Sequence, residues 1–174
     1  GVVFFLRLRR PPGSTLFPYT TRFRSVNGDG FDDLIIGAYG ADPSGTNGAG
    51  ERYVVFGKAS GFGSSVDLST LDGTNGFRLD GIDAGDRSGW SVSSAGDVNG
   101  DGFDDLLIGA YGADPSGTSG AGESHVVFGK ASGFGSSVDL PTLDGINGFR
   151  LVGIDASDYS GYSVSCVGDV NGDG

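Results

Sequence analysis

The chain has 174 residues, 35 of them glycine, with no Met, a single Cys and a formal charge of −11. Glycine at this density excludes a fold of long helices, because each interior glycine costs a helix about 1 kcal/mol. A hydrophobic content of 37% is too high for a disordered chain of this charge, and no apolar run approaches the roughly 20 residues that span a bilayer.

The charge is unevenly placed. Residues 1–25 hold five arginines and no acid, whereas the rest holds six basic residues and all 22 acids. An acidic body repels nucleic acid and anionic membrane, so neither is expected as a partner, and no membrane insertion is expected. The lone Cys166 forms no internal disulfide and leaves the compartment open. A chain without Met contains no initiator, and Val2–Leu6 is too short for a signal h-region, so the sequence reads as a piece of something longer.

In chain order, the head comes first. Residues 1–25 lack the Gly/Asp texture of the remainder, and the run RRPPGSTLFPYTTRFRS resembles translated sequencing-adapter sequence. The alternative is a basic, proline-containing linker or targeting segment. Either way the head is expected to be non-native or disordered, with no fixed fold.

From Val26 the sequence repeats with a period of 72 residues: 26–97 and 98–169 align without a gap and differ at twelve positions. A third copy, 170–174, is truncated after five residues. One period contains four strand candidates: Trp90–Ala95, Asp105–Tyr111, Ser124–Gly129 and Gly148–Val152. Each is short, rich in Val, Ile, Leu or aromatics, and bounded by turn residues. Asp114-Pro115-Ser116-Gly117 has the proline of a type I turn at its second position, Asn147-Gly148 offers a hairpin corner, and Val138–Leu143 can carry a helical turn. Four antiparallel strands per repeat is the unit of a β-propeller blade. A β-solenoid would show a shorter period. The expected fold is all-β, a propeller fragment of about two four-stranded antiparallel blades.

The stretch Gly96–Asp105, GDVNGDGFDD, places Asp97, Asn99, Asp101 and Asp105 at alternating and then wider spacing. That pattern suits a hard cation. Calcium takes six to eight oxygens at roughly 2.3–2.6 Å, and the ligands here are Asp97, Asn99, Asp101, the carbonyl of Phe103 and Asp105. Gly102 supplies the corner. An ion-free Asx turn is the plainer reading, but three carboxylates at ~4 Å spacing repel by about 4 kcal/mol per pair at an effective dielectric near 20 unless a cation intervenes. An EF-hand is excluded, since its bidentate Glu would fall on Ile108 in a strand run; a dockerin-like module fails likewise. The first copy offers Asn27, Asp29, the carbonyl of Phe31 and Asp33, with Ser25 in place of the leading aspartate, and should bind more weakly. The third offers Asp169, Asn171 and Asp173 without its last carboxylate.

The stretch SVSSAGDVNGDGFDDLLIGAYGAD, followed by VVFGK, resembles an FG-GAP repeat, the blade of the integrin α-subunit propeller, with close bacterial versions in large secreted and surface proteins. The resemblance covers residues 26–174. It implies a seven-bladed ring with Ca²⁺ in the loop joining a blade's first two strands. On this division 26–97 is one repeat lacking its first strand, 98–169 a second, and 170–174 the start of a third. The "FG" positions read Ser88-Gly89 and Ser160-Gly161 and "GAP" reads GAY, departures that touch packing between blades.

Among the remaining chemistry-bearing residues, His125 aligns with Tyr53 and is expected to be a partly exposed strand residue. Cys166 aligns with Ser94 as a small packing residue, and Trp90 aligns with Tyr162 as aromatic packing, sugar stacking being the alternative. Gly61-Phe62-Gly63 lacks the GK[ST] of a phosphate loop. Asp83, Asp86, Asp155 and Asp158 read as solvated turn residues rather than catalytic pairs. The function implied is binding or adhesion outside the cell, toward a protein or glycan and neighbouring propeller blades, with no catalysis. The alternatives are a structural spacer, or the accessory propeller of a larger extracellular enzyme such as the phospholipase D that cleaves lipid anchors.

Overall fold

The computed structural model describes residues 25–168 and 170; the expected head, apart from Ser25, and the third-copy positions Asp169, Asn171 and Asp173 lie outside the described residues. Among the described residues eight strands form in chain order: β1 (Leu34–Ala38), β2 (Glu51–Val55), β3 (Gly76–Asp80), β4 (Ser91–Gly96), β5 (Asp105–Ala110), β6 (Glu123–Val127), β7 (Ser137–Asp139) and β8 (Gly148–Val152). The only helical pieces among the described residues are 3₁₀ turns at Pro43–Gly45, Leu68–Thr70, Pro115–Gly117 and Leu140–Thr142. No described helix is long and apolar enough to cross a membrane.

The strands make two four-stranded sheets, ordered β1-β2-β3-β7 and β4-β5-β6-β8. The second sheet is antiparallel throughout, as expected. The first is not. Its fourth strand, β7, comes from the other repeat and runs parallel to β3, pairing Arg78 with Ser137, Leu79 with Val138 and Asp80 with Asp139. Three residues with one apolar side chain carry too little alternation to announce a strand. What makes them one is the free edge of β3 in the neighbouring sheet.

The core lies between the sheets. Phe77 and Leu79 of β3, Val54 of β2, Leu106 and Ile108 of β5, and Leu140 after β7 belong to one buried cluster, joined by Val26. Phe134 lies flat on Phe77 with ring centroids 4.1 Å apart. Within each repeat the chain after the last strand returns close enough to require glycine at Gly109, where a Cβ would stand 1.9 Å from the Gly161 carbonyl oxygen. Its counterpart Gly37 meets Gly89 in the same way.

Two turns differ from their expected form. Ser116 sits at φ 53°, so the Asp114–Gly117 turn is left-handed at its third residue rather than type I. Asp114 also accepts from the Gly120 N–H at 2.6 Å, which curls the loop back on itself. Asn147-Gly148 is a corner entering β8, but β8 pairs with β6 across the excursion to β7, so it joins no simple hairpin.

Candidate functional site

The loop between β4 and β5 is held by its own acids. The Asp97 carboxylate accepts from the N–H groups of Asp101 at 2.9 Å and Gly102 at 3.0 Å. The Asn99 side-chain oxygen also accepts from the Asp101 N–H, and Asp101 accepts from the Phe103 N–H at 3.0 Å. Gly102 takes φ 94°, the corner its position calls for. These bonds are local, spanning two to five residues, and follow from side chains that bond backbone groups a few positions away.

Asp105 behaves differently. It is fully buried, and its two oxygens accept from the Val98 N–H at 2.8 Å and the Gly129 N–H at 2.9 Å, tying the start of the loop to the end of β6. Asp33 makes the same pair of bonds to Val26 and Gly57. This clasp is invisible in the spacing of one loop; only its recurrence at 24 residues in both copies could have marked it. Burial pushes the Asp105 carboxyl above its usual range, the Gly129 and Val98 bonds pull it back, and the charges of Asp101 and Asp97 push it up again. Asp33 is raised by burial in the same way, with Asp29 as the like charge.

In the first copy Ser25 fills the leading position. Its hydroxyl lies 2.8 Å from the Asn27 side-chain oxygen and accepts from the N–H groups of Gly28 and Asp29. The turn therefore keeps its shape with one negative charge fewer. The two loops are neighbours: the Asp104 N–H donates to the Ser25 carbonyl at 3.1 Å, and a Cβ at Gly28 would stand 2.3 Å from the Phe103 ring.

The donor chemistry of the 97–105 loop fits a hard cation, being oxygen throughout, with like charges pressing on a buried carboxylate. The side chains as they stand are turned to backbone N–H groups, and among the described residues no three His, Cys, Asp or Glu side chains are grouped closely enough to hold a metal ion.

A second polar feature lies deeper between the sheets. His125, expected to be partly exposed, is buried, because it lies opposite Ile108 on the face of β6 that joins the core, whereas its counterpart Tyr53 is half-buried. Neither ring nitrogen has a hydrogen-bond partner; Nε2 stands 3.6 Å from Glu123, and burial, with Arg52 and Arg150 nearby, holds its pKa down to about 3. Arg52 is also fully buried, its pKa lowered by desolvation to about 9 despite Asp80, Asp86 and Glu51. Asp86, expected in solvent, is buried and accepts from the Asp83 N–H, while Asp155 and Asp158 are exposed. Asp83, Asp86, Asp114, Glu123 and Arg150 line an open cleft of about 370 Å³.

Trp90 packs as expected, 4.6 Å from Tyr39 and 5.2 Å from Tyr111. Cys166 is a free thiol at the surface, 3.2 Å from the Ala95 carbonyl.

Two four-stranded sheets stacked face to face through a shared core, recurring with the sequence period, define a segment of a β-propeller. The FG-GAP repeat model matches residues 26–55 and 88–127, and the chain carries FG-GAP repeats at those two segments. It is also 29% identical over 180 residues to phosphatidylinositol-glycan-specific phospholipase D of Dictyostelium discoideum, a match that takes in 92% of this chain. The chain spans 17% of the length of that relative.

Proposed function

We propose that this chain is a calcium-stabilised propeller segment of a secreted or cell-surface protein, binding a protein or glycan partner rather than catalysing a reaction. The observation that carries it is the loop Asp97–Asp105, an all-oxygen donor set in which the charges of Asp101 and Asp97 act on the buried carboxylate of Asp105. Asp97, Asn99, Asp101, the Phe103 carbonyl and Asp105 would hold the ion; Asn27, Asp29, the Phe31 carbonyl and Asp33 would form the weaker site. Bound calcium supplies positive charge where the acids otherwise repel. Extracellular calcium modules bind at about 10⁻⁴–10⁻³ M, a level met outside cells and rarely inside them.

The test compares calcium titrations, by calorimetry and by melting temperature, of the native chain and Asp101→Ala. The native chain should bind with a Kd in that range and melt higher with calcium, and the variant should lose most of both effects. Equal responses would remove the assigned site.

A second reading draws on the relative. Similarity to a phosphatidylinositol-glycan-specific phospholipase D supports a role as the accessory propeller of a larger extracellular enzyme, in which these repeats would position a catalytic domain carried elsewhere in the polypeptide. A catalytic domain in the same open reading frame would establish it, and a frame holding FG-GAP repeats alone would exclude it.

A further inference from the structure

We propose that the two cation loops act as a coupled pair, calcium in the loop 97–105 tightening the binding of calcium in the loop 25–33 and the reverse. The inference rests on the calcium reading above and adds to it a regulation that neither loop has alone.

The coupling element is Ser25–Val26, the entry to the first loop. Both residues are buried, at 3% and 5% exposure. Val26 donates its N–H to Asp33 Oδ2 at 2.8 Å, so it holds the last carboxylate of the first loop. Its carbonyl accepts from the Lys130 N–H at 2.9 Å, and the Ser25 carbonyl accepts from the Asp104 N–H at 3.1 Å. Both donors are chain neighbours of the second loop's clasp. Asp104 precedes Asp105, and Lys130 follows Gly129, whose N–H donates to Asp105 Oδ1 at 2.9 Å. At both places one residue belongs to the Asp105 clasp and the next holds the first loop.

Packing follows the same path. A Cβ at Gly129 would stand 2.5 Å from the Asp104 carbonyl oxygen, 2.7 Å from the Phe103 Cβ and 2.9 Å from the Val26 carbonyl oxygen. Three segments meet there with no room for a side chain. Phe103, whose carbonyl is assigned to the second site, also lays its ring on Gly28, between Asn27 and Asp29 of the first.

In the second loop Asp97 is spent on the N–H groups of Asp101 and Gly102, Asn99 on that of Asp101, and Asp101 on that of Phe103. When those oxygens turn to an ion, the loop exchanges its internal bonds for a shared centre, and residues 103–105 lose freedom. A ligand that meets an already ordered neighbour has less left to order, which is positive cooperativity. By linkage the effect is equal in both directions. Charge alone has the opposite sign, since each filled loop attracts a second dication less. At 0.15 M salt, interactions between exposed charges are largely screened beyond about 8 Å, so that condition reads the shared backbone.

The test follows the amide signals of Gly28 and Gly30 for the first loop, and of Gly100 and Gly102 for the second, by NMR during calcium titration of the whole chain at 0.15 M salt. Both sets should move in the native chain. In Asp101→Ala, a change outside the first loop, the Gly28 and Gly30 midpoint should rise at least about fivefold, the low end of coupling between sites. Fitted as two linked sites, the native titration and Asp29→Ala, read at Gly100 and Gly102, should return the same factor. Lys130→Pro removes the N–H that holds Val26 and touches no ligand, so in that background Asp101→Ala should shift the first loop clearly less. Lys58→Pro, the same change in the other repeat, should leave the factor as it was. If Lys130→Pro fails to fold, the two alanine variants decide. Signals that stay still at both loops would remove the calcium sites and the coupling together. Both sets moving, with midpoints unaltered by the variant in the other loop or altered in the opposite sense, would leave the sites standing and overturn the coupling.

Discussion

Asp105 and Asp33 each sit beneath a loop of further acids, accept two backbone N–H groups, and have their carboxyls pushed above the usual range chiefly by burial. A group raised in the folded state contributes stability that is present below its unfolded pKa and lost as pH rises through its folded value. In chelator, these two carboxyls should therefore make stability fall as pH climbs above the ordinary aspartate range, and calcium should flatten that slope. Urea unfolding at several pH values, with and without calcium, measures it; a slope unaltered by calcium would count against the ion. His125 works in the opposite sense. With a pKa held near 3 by burial, it binds fewer protons folded than unfolded, so its contribution is lost as pH falls below its ordinary 6.5. His125→Phe should reduce the acid-side loss of stability, read from the same titrations.

At the scale of the element, one short sequence adopts two conformations. Ser137–Asp139 is a strand because β3 offers it an edge and Phe77 a surface; Ser65–Asp67, with the same residues, is not. The contrast yields a paired test. Leu79→Ala removes a fully buried side chain between the sheets and should cost about 2–5 kcal/mol. Leu151→Ala, at the same place in the next repeat but half exposed, should cost well under half as much in a monomeric sample. Chemical denaturation of the two variants side by side gives the difference, and equal costs would mean that the β8 face is already covered.

For the whole molecule, each sheet's stability depends mostly on its neighbour, as in other stacked-repeat proteins. Calcium acts on that stack by mass action. At tenfold excess over Kd, one site adds about 1.4 kcal/mol, which for a chain of this size raises the melting temperature by about 3–6 °C. Asp101→Ala should remove that increment, leaving only what the weaker Ser25-containing loop supplies.

Much of this architecture is written locally. The strands show themselves as short runs of Val, Ile and Leu between glycine-rich turns, and the hydrogen bonds of Asp97, Asn99 and Asp101 reach no further than five residues. Such features survive in a linear reading because the groups that make them are neighbours in the chain. The 72-residue period and the FG-GAP texture are legible for the same reason. Tertiary structure alone decided that β7 crosses to the other sheet, that Arg52, Asp86 and His125 are buried, and that Asp105 clasps Gly129. Each of these depends on which surface a distant segment covers. Burial and strand pairing at an edge belong to the neighbour as much as to the residue, so identical sequences can be closed in one repeat and open in the next.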